Sequence, residues 1–157
     1  MDGSVRNLLE NKIVFIVPTG DEGNYSSFED IAKAENAALG DPDSVPVGQY
    51  SKEALTNLGL WDEVLAKASL GTNVTEVLNW VAEGSAKAGI VYATDAAQTD
   101  KVTIVAEAPE GSVKKAIYPA GITKDCENPD GAQKIIDFLA SSVAMDIFVK
   151  NGLAAAE

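Results

Sequence analysis

The stretch DPDSVPVGQYSKEALTNL, residues 41–58, decides the fold because it joins a turn to an amphipathic helix. Apolar side chains recur at helical spacing around Pro46, and proline suits a first helical turn, where its missing N–H costs nothing. The preceding run AALG, at 37–40, predicts a short buried strand. We therefore predict a strand, a tight turn and a helix whose first amides, near Val47 and Gly48, attract anions. An ordinary strand-to-helix connection also explains this pattern, since few helix starts bind ligands.

Two further segments also contain a candidate ligand-binding group next to the start of a helix. Residues 73–76, Asn-Val-Thr-Glu, have the form of a capping box, with asparagine at the cap and glutamate three residues later. The amides around Val74 form a second candidate anion site, although a plain capped helix is the commoner explanation. The run AGIVY at 88–92 predicts a strand that ends on Tyr92, just before a short helix. The Tyr92 hydroxyl then either projects into a crevice or is the solvated end of a half-buried ring.

The remaining chain continues to alternate strands and helices. Further strands are predicted at 12–18, 101–107 and 116–123, and two amphipathic helices at 129–140 and 142–150. Pro119 favours a sheet edge or an interruption, because proline cannot donate to a strand ladder. This alternation predicts an α/β fold with a mixed or largely parallel sheet.

Composition excludes several functional classes. The 157 residues carry a formal net charge of −12 at pH 7, so nucleic acids and anionic membrane surfaces are unsuitable partners. Histidine is absent and Cys126 is the single cysteine, which excludes imidazole metal sites, disulfides within the chain and multi-cysteine zinc sites. Asp95, Tyr92 and Cys126 form no triad or metal set, so we expect no catalytic residues and no enzyme. Residues 1–4 lack the basic, apolar and small succession of a signal peptide, so we expect none in this chain.

Three segments occur in an order and at a spacing that are specific when taken together. They are GDPDSVPVGQYSKEALTNLGLWDEV at 40–64, LGTNVTEVLNWVAEG at 70–84 and AGIVYATDA at 88–96. Together they resemble the molybdate-binding components of bacterial ABC importers, a family of type II periplasmic binding proteins. The resemblance covers residues 8–153, nearly the whole chain.

This resemblance implies two α/β lobes with a tetrahedral oxyanion, molybdate or tungstate, in the cleft between them, and no other cofactor. In the family, backbone N–H groups at two loop-to-helix starts and one tyrosine bind the oxyanion, which implies Val47, Val74 and Tyr92 here. Alanine is usual where Val47 stands, and a backbone donor survives that change. The implied partner is the membrane permease of an ABC importer, and the implied location is periplasmic or extracellular and membrane-anchored. Sulfate or another oxyanion, and the effector lobe of a regulator, are alternatives with the same architecture.

The chain departs from the family at its start, where the family carries two loops with serine or threonine that supply the rest of the ligand shell. The resemblance therefore implies one complete lobe at 11–103 and the C-terminal part of the second lobe at 104–157. We expect the strands at 101–107 and 116–123 to lack sheet partners, which favours self-association or a domain swap. We also expect weak or absent molybdate binding by this chain alone. A truncated, non-binding remnant that acts only through self-association is the last alternative.

Overall fold

The computed structural model describes residues 5–156, which form two compact units, Lys12–Lys114 and residues 5–11 with 115–156. The described strands are Arg6–Asn11 (β1), Ile13–Pro18 (β2), Ala37–Gly40 (β3), Ala68–Gly71 (β4), Ala88–Tyr92 (β5), Val102–Glu107 (β6), Ala116–Ala120 (β7) and Leu153–Ala155 (β8). The α-helices are Pro46–Asn57 (α1), Trp61–Leu65 (α2), Val74–Ala82 (α3), Ala93–Ala96 (α4), Pro129–Leu139 (α5) and Ser142–Lys150 (α6), and 3₁₀ helices lie at Glu22–Asn24 and Phe28–Lys33. The expectation of no signal peptide concerns residues 1–4, which lie outside the described residues.

The larger unit, Lys12–Lys114, is built on a five-stranded sheet in the order β4-β3-β5-β2-β6. β3 runs parallel to both β4 and β5, whereas β2 runs antiparallel to both β5 and β6. The sheet is therefore mixed, and the predicted α/β class is confirmed.

β2 supplies side chains to both faces of this sheet, because successive residues of a strand point to opposite sides. Ile13, Phe15 and Val17 pack in one core with α1 and α2. Val14 and Ile16 pack in a second core with α3 and α4. Helices therefore cover both faces, which explains why β2 reads as an uninterrupted apolar run.

The smaller unit contains a three-stranded antiparallel sheet in the order β7-β1-β8, together with α5 and α6. β7 lies at an edge of this sheet, so the edge position that Pro119 predicts is confirmed. Several apolar side chains on α5 and α6 stay more than half exposed: Ile135, Phe138, Val143, Ile147 and Val149.

Two expectations about this arrangement need correction. The strands predicted at 101–107 and 116–123 do not lack sheet partners, because β6 pairs with β2 and β7 pairs with β1. The sequence does not predict β1, because the two leucines of RNLLEN are flanked by polar and charged residues and form no strand pattern. The observed units also differ from the predicted division into 11–103 and 104–157. β6 joins the larger sheet, and the segment after β6 is hydrogen-bonded to α1.

Helix α1 begins very close to the end of β3, and a glycine permits this approach. A Cβ atom added to Gly48 would lie 2.3 Å from the carbonyl oxygen of Gly40 and 2.7 Å from the carbonyl carbon of Asp41. Both are backbone atoms, so neither can rotate away as a side chain would. Gly48 therefore sets where the first turn of α1 stands against the sheet.

Replacing Gly48 with alanine should lower the free energy of unfolding by about 1–3 kcal/mol, because the added methyl group must displace backbone. Urea unfolding followed by circular dichroism measures this change. Gly23→Ala is the control, since a Cβ there meets no atom within 4 Å. That variant should stay within about 0.5 kcal/mol of the parent protein, as exposed substitutions do. Equal stability of the two variants would contradict the close approach at Gly48.

Candidate functional site

The three parallel strands of the larger sheet end along one edge, and each is followed by a helix. β3 is followed by α1, β4 by α3 and β5 by α4. Gly40 and Gly71 are paired where β3 and β4 end, and the Asp41 amide donates to the Gly71 carbonyl oxygen at 2.9 Å. The starts of three helices therefore lie at the same edge of the sheet.

The helix after β3 goes to one face of the sheet, while the helices after both neighbouring strands go to the other. Leu55 of α1 belongs to one core, whereas Val77 of α3 and Ala93 of α4 belong to the opposite one. Neighbouring strands whose connections diverge in this way open a crevice outside their carboxyl ends, where open α/β sheets bind ligands. The sequence-predicted residues lie at these ends: Val47 in the first turn of α1, Val74 at the start of α3 and Tyr92 at the end of β5.

The first turn of α1 leaves the Val47 amide without an acceptor among residues 5–156. Val45 is the N-cap residue, has an extended backbone and provides no capping side chain, and Pro46 has no N–H. The Gly48 and Gln49 amides both donate to the Val45 carbonyl oxygen, at 2.9 and 3.1 Å. The first amides of a helix lack partners within the helix, so an anion is a suitable acceptor for Val47.

Helix α3 begins with the predicted cap, although its glutamate bonds differently from a capping box. Asn73 Oδ1 accepts from the Glu76 amide at 2.9 Å. The Glu76 carboxylate accepts from the amide and hydroxyl of Thr72, at 2.7 and 3.0 Å, instead of from the cap residue. The Val74 amide has no acceptor within the described part of the chain, so this helix start also offers a donor. Glu76 brings a negative charge to the same turn, which the helix dipole favours.

Tyr92 is half-buried at the end of β5 and contacts α1 through its ring. The Tyr92 and Tyr50 ring centroids lie 6.2 Å apart, with an angle of 73° between the ring planes. The Tyr92 amide donates to Asp95 Oδ2 at 3.2 Å. Burial raises the pKa of the Asp95 carboxyl group, and the bond from the Tyr92 amide acts in the opposite direction. The backbone of Tyr92 thus ties the end of β5 to the start of α4.

Sequence reasoning missed two side chains beside this site. They are Tyr50, whose ring contacts that of Tyr92, and Lys114, whose Nζ atom lies 5.5 Å from the Tyr50 ring centroid. The available signal was the spacing of Tyr50, three residues after Val47 on one helix. Nothing local in the sequence connects Lys114 with α1.

Other kinds of site find little support in the described residues. No group of three or more histidine, cysteine, aspartate or glutamate residues within 5–156 is placed to hold a metal ion. Cys126 belongs to the smaller unit, whereas Tyr92 and Asp95 belong to the larger one. None of the described helices combines the length and the apolar character needed to cross a bilayer.

Comparison with known proteins identifies relatives over nearly the whole chain. The model of the bacterial extracellular solute-binding protein family matches residues 1–154. A Bacillus subtilis protein assigned as an ABC transporter substrate-binding lipoprotein, YvgL, is 43% identical over 148 residues, which is 94% of this chain and 57% of that protein. The molybdate-binding protein ModA of Haemophilus influenzae is 38% identical over 156 residues, covering 94% of this chain and 60% of that protein. The chain therefore spans less than two thirds of the length of these relatives.

A solved structure shows the same fold. The substrate-binding domain from Clostridium difficile that is assigned to a molybdenum ABC transporter has a TM-score of 0.92 and 33% sequence identity. The match covers 100% of this chain and 69% of that one. The predicted family resemblance and fold class are therefore confirmed. This chain belongs to the bacterial extracellular solute-binding protein family and has the α/β fold of type II periplasmic binding proteins.

Proposed function

We propose that this chain is the substrate-binding component, or a part of it, of an ABC importer for molybdate or tungstate. In this proposal the Lys12–Lys114 unit binds the tetrahedral oxyanion through the Val47 and Val74 amides and the Tyr92 hydroxyl. The observation that carries it is the pair of open helix starts at the ends of neighbouring strands whose helices leave to opposite faces. Relatives named as molybdate-binding proteins support this ligand.

The proposed donors suit a dianion in an acidic protein. An oxyanion that leaves water needs several charge-assisted hydrogen bonds, which are stronger than bonds between neutral groups. Amides at a helix start carry the positive end of the helix dipole, so they supply such bonds without a basic side chain. Local dipoles in a closed site outweigh the screened field of a surface with net charge −12. No covalent bond is made or broken, so the proposed role is binding and not catalysis.

The proposed partner and location follow from the family. The family comprises extracellular solute-binding proteins, and the Bacillus subtilis relative is assigned as a lipoprotein. The chain would therefore deliver its ion outside the cytoplasm to the membrane permease of an importer. The Lys12–Lys114 unit would be the lobe that carries the three donors, and residues 5–11 with 115–156 would belong to the second lobe.

Sodium molybdate should shift the backbone amide NMR signals of Val47 and Val74 and the ring signals of Tyr92. We expect a dissociation constant on the order of 1 mM, equivalent to about 4 kcal/mol, because a few charge-assisted bonds supply that much. A titration of isotope-labelled protein at constant ionic strength measures it, with tungstate and sulfate as tetrahedral comparisons and nitrate as the planar control. Equal shifts with nitrate, or shifts that avoid all three residues, would refute the proposal.

Val74→Pro removes one proposed donor with little expected change in fold. Proline is favoured at the first position of a helix, and Asn73 before it is already extended, as a residue before proline prefers. We expect about tenfold weaker molybdate binding, since about 1.5 kcal/mol is lost with one charge-assisted bond. Val74→Ala is the matched control, because it also trims the side chain but keeps the amide. If both variants bind as tightly as the parent protein, the Val74 amide is not a ligand.

Self-association is a separate proposal for the smaller unit. Unpaired strands do not support it, because β6 and β7 both have sheet partners. The remaining support is the group of exposed apolar side chains on α5 and α6, which a second copy of this chain could cover. Ile135 and Ile147 represent the two helices, with 62% and 56% of their surfaces exposed.

The parent protein should be a dimer by light scattering after gel filtration at about 100 µM, since association depends on concentration. A variant with both Ile135→Lys and Ile147→Lys should be monomeric, because two buried charges per subunit would oppose the contact. Ile104→Lys is the control, since Ile104 is a 43% exposed residue of the larger unit. A monomeric parent protein at this concentration would refute self-association.

A further inference from the structure

Tyr50 connects the start of α1 with the Tyr92 ring. It follows Val47 by three positions, so the two residues share one side of the helix. The Tyr50 ring meets the Tyr92 ring edge to face, with centroids 6.2 Å apart. Both rings are half-buried and pack against the core that α1 covers. Tyr50 therefore contacts one proposed donor residue and stands one helical turn from another.

The position of the Tyr92 hydroxyl depends on the direction in which its side chain points. The hydroxyl lies at the far end of the side chain, so a small rotation about the Cα–Cβ bond moves its oxygen considerably, whereas rotation of the ring about its own axis does not. A hydroxyl donor is effective only within about 2.5–3.0 Å of its acceptor. A neighbouring ring in edge-to-face contact restricts such rotations. The Tyr50 ring is therefore placed to decide where the Tyr92 hydroxyl stands.

Tyr50 is itself held by the segment that follows β6. Lys114 Nζ lies 5.5 Å from the Tyr50 ring centroid, within the range of a cation–π contact. The Lys114 amide donates to Glu53 Oε1 at 2.9 Å, and Asn57 Nδ2 donates to the Ser112 carbonyl oxygen at 2.8 Å. Tyr50, Glu53 and Asn57 recur at helical spacing and form one stripe of α1. The segment is thus fastened along this stripe at three places.

We propose that Tyr50 is a positioning residue that orients the Tyr92 hydroxyl for oxyanion binding, and that Lys114 holds the Tyr50 ring. This role presupposes the oxyanion site proposed above. Tyr50 acts through Tyr92 and makes no contact of its own with the ion. Affinity should therefore depend on the Tyr50 ring and not on its hydroxyl.

Ring-labelled tyrosine NMR tests this role without any ligand. Tyr50→Leu should shift and broaden the Tyr92 ring signals, because both the ring current and the restriction of rotation are lost. Tyr50→Phe should leave them close to their parent positions, and Lys114→Met should shift them less than Tyr50→Leu does. The Tyr92→Phe variant identifies the Tyr92 signals by their loss.

The same variants are then titrated with sodium molybdate. We expect Tyr50→Leu to bind about tenfold more weakly and Tyr50→Phe within about twofold of the parent protein, since edge-to-face packing needs only the ring. Lys114→Met should weaken binding about threefold, in keeping with an exposed cation–π contact. Tyr25→Leu is the matched control: its ring packs edge to face on Phe15, with centroids 5.3 Å apart, beside the same core. That variant should change neither the Tyr92 signals nor the affinity.

The possible outcomes separate this role from the function on which it rests. Unchanged Tyr92 ring signals in Tyr50→Leu overturn the positioning role, whether or not the protein binds molybdate. Equal molybdate affinity of Tyr50→Leu and the parent protein also overturns it. Absence of any molybdate-dependent shift in the parent protein refutes the proposed function instead, and the ligand-free ring signals then still decide whether Tyr50 orients Tyr92.

Discussion

The parallel pairing of β3 with β4 on one side and with β5 on the other governs the candidate site. This pairing brings three strand ends to one edge of the sheet. The helices that follow these strands cover opposite faces, α1 on one and α3 and α4 on the other, which is the arrangement at which open α/β sheets bind ligands. The location of the candidate site therefore follows from strand order and not from an individual polar side chain.

Incomplete capping of α1 and α3 leaves backbone amides available as hydrogen-bond donors at the candidate site. Val45 is a poor N-cap residue, because its side chain cannot accept a hydrogen bond, and serine or aspartate there would stabilise the helix by about 0.5–2 kcal/mol. Asn73 does cap α3, but it engages the Glu76 amide and leaves the Val74 amide for another acceptor. Both helix starts thus keep amide donors that no acceptor among residues 5–156 uses. The close approach at Gly48 fixes where the start of α1 lies against the end of β3.

Structural features that depend on a few adjacent residues could be predicted from the sequence, whereas contacts between distant residues could not. The apolar run of β2, the proline in the first turn of α1 and the Asn73 cap are local, and all three are present as predicted. The pairing of β6 with β2 and the contact between Tyr50 and Tyr92 depend on how separate segments meet. Whether Val47, Val74 and Tyr92 hold one ion together likewise depends on side-chain and backbone placement that spacing does not specify.

The central place of β2 has a consequence for biosynthesis. Its residues pair with β5 and β6, which a ribosome adds much later, so IVFIVP is finished long before its partners exist. Such a β-branched, uncharged segment is prone to aggregate while it is unpaired. By contrast, the strands and helices from β3 to β5 are consecutive, and they can assemble as they emerge. The growing chain therefore exposes an aggregation-prone segment until β5 and β6 have been added.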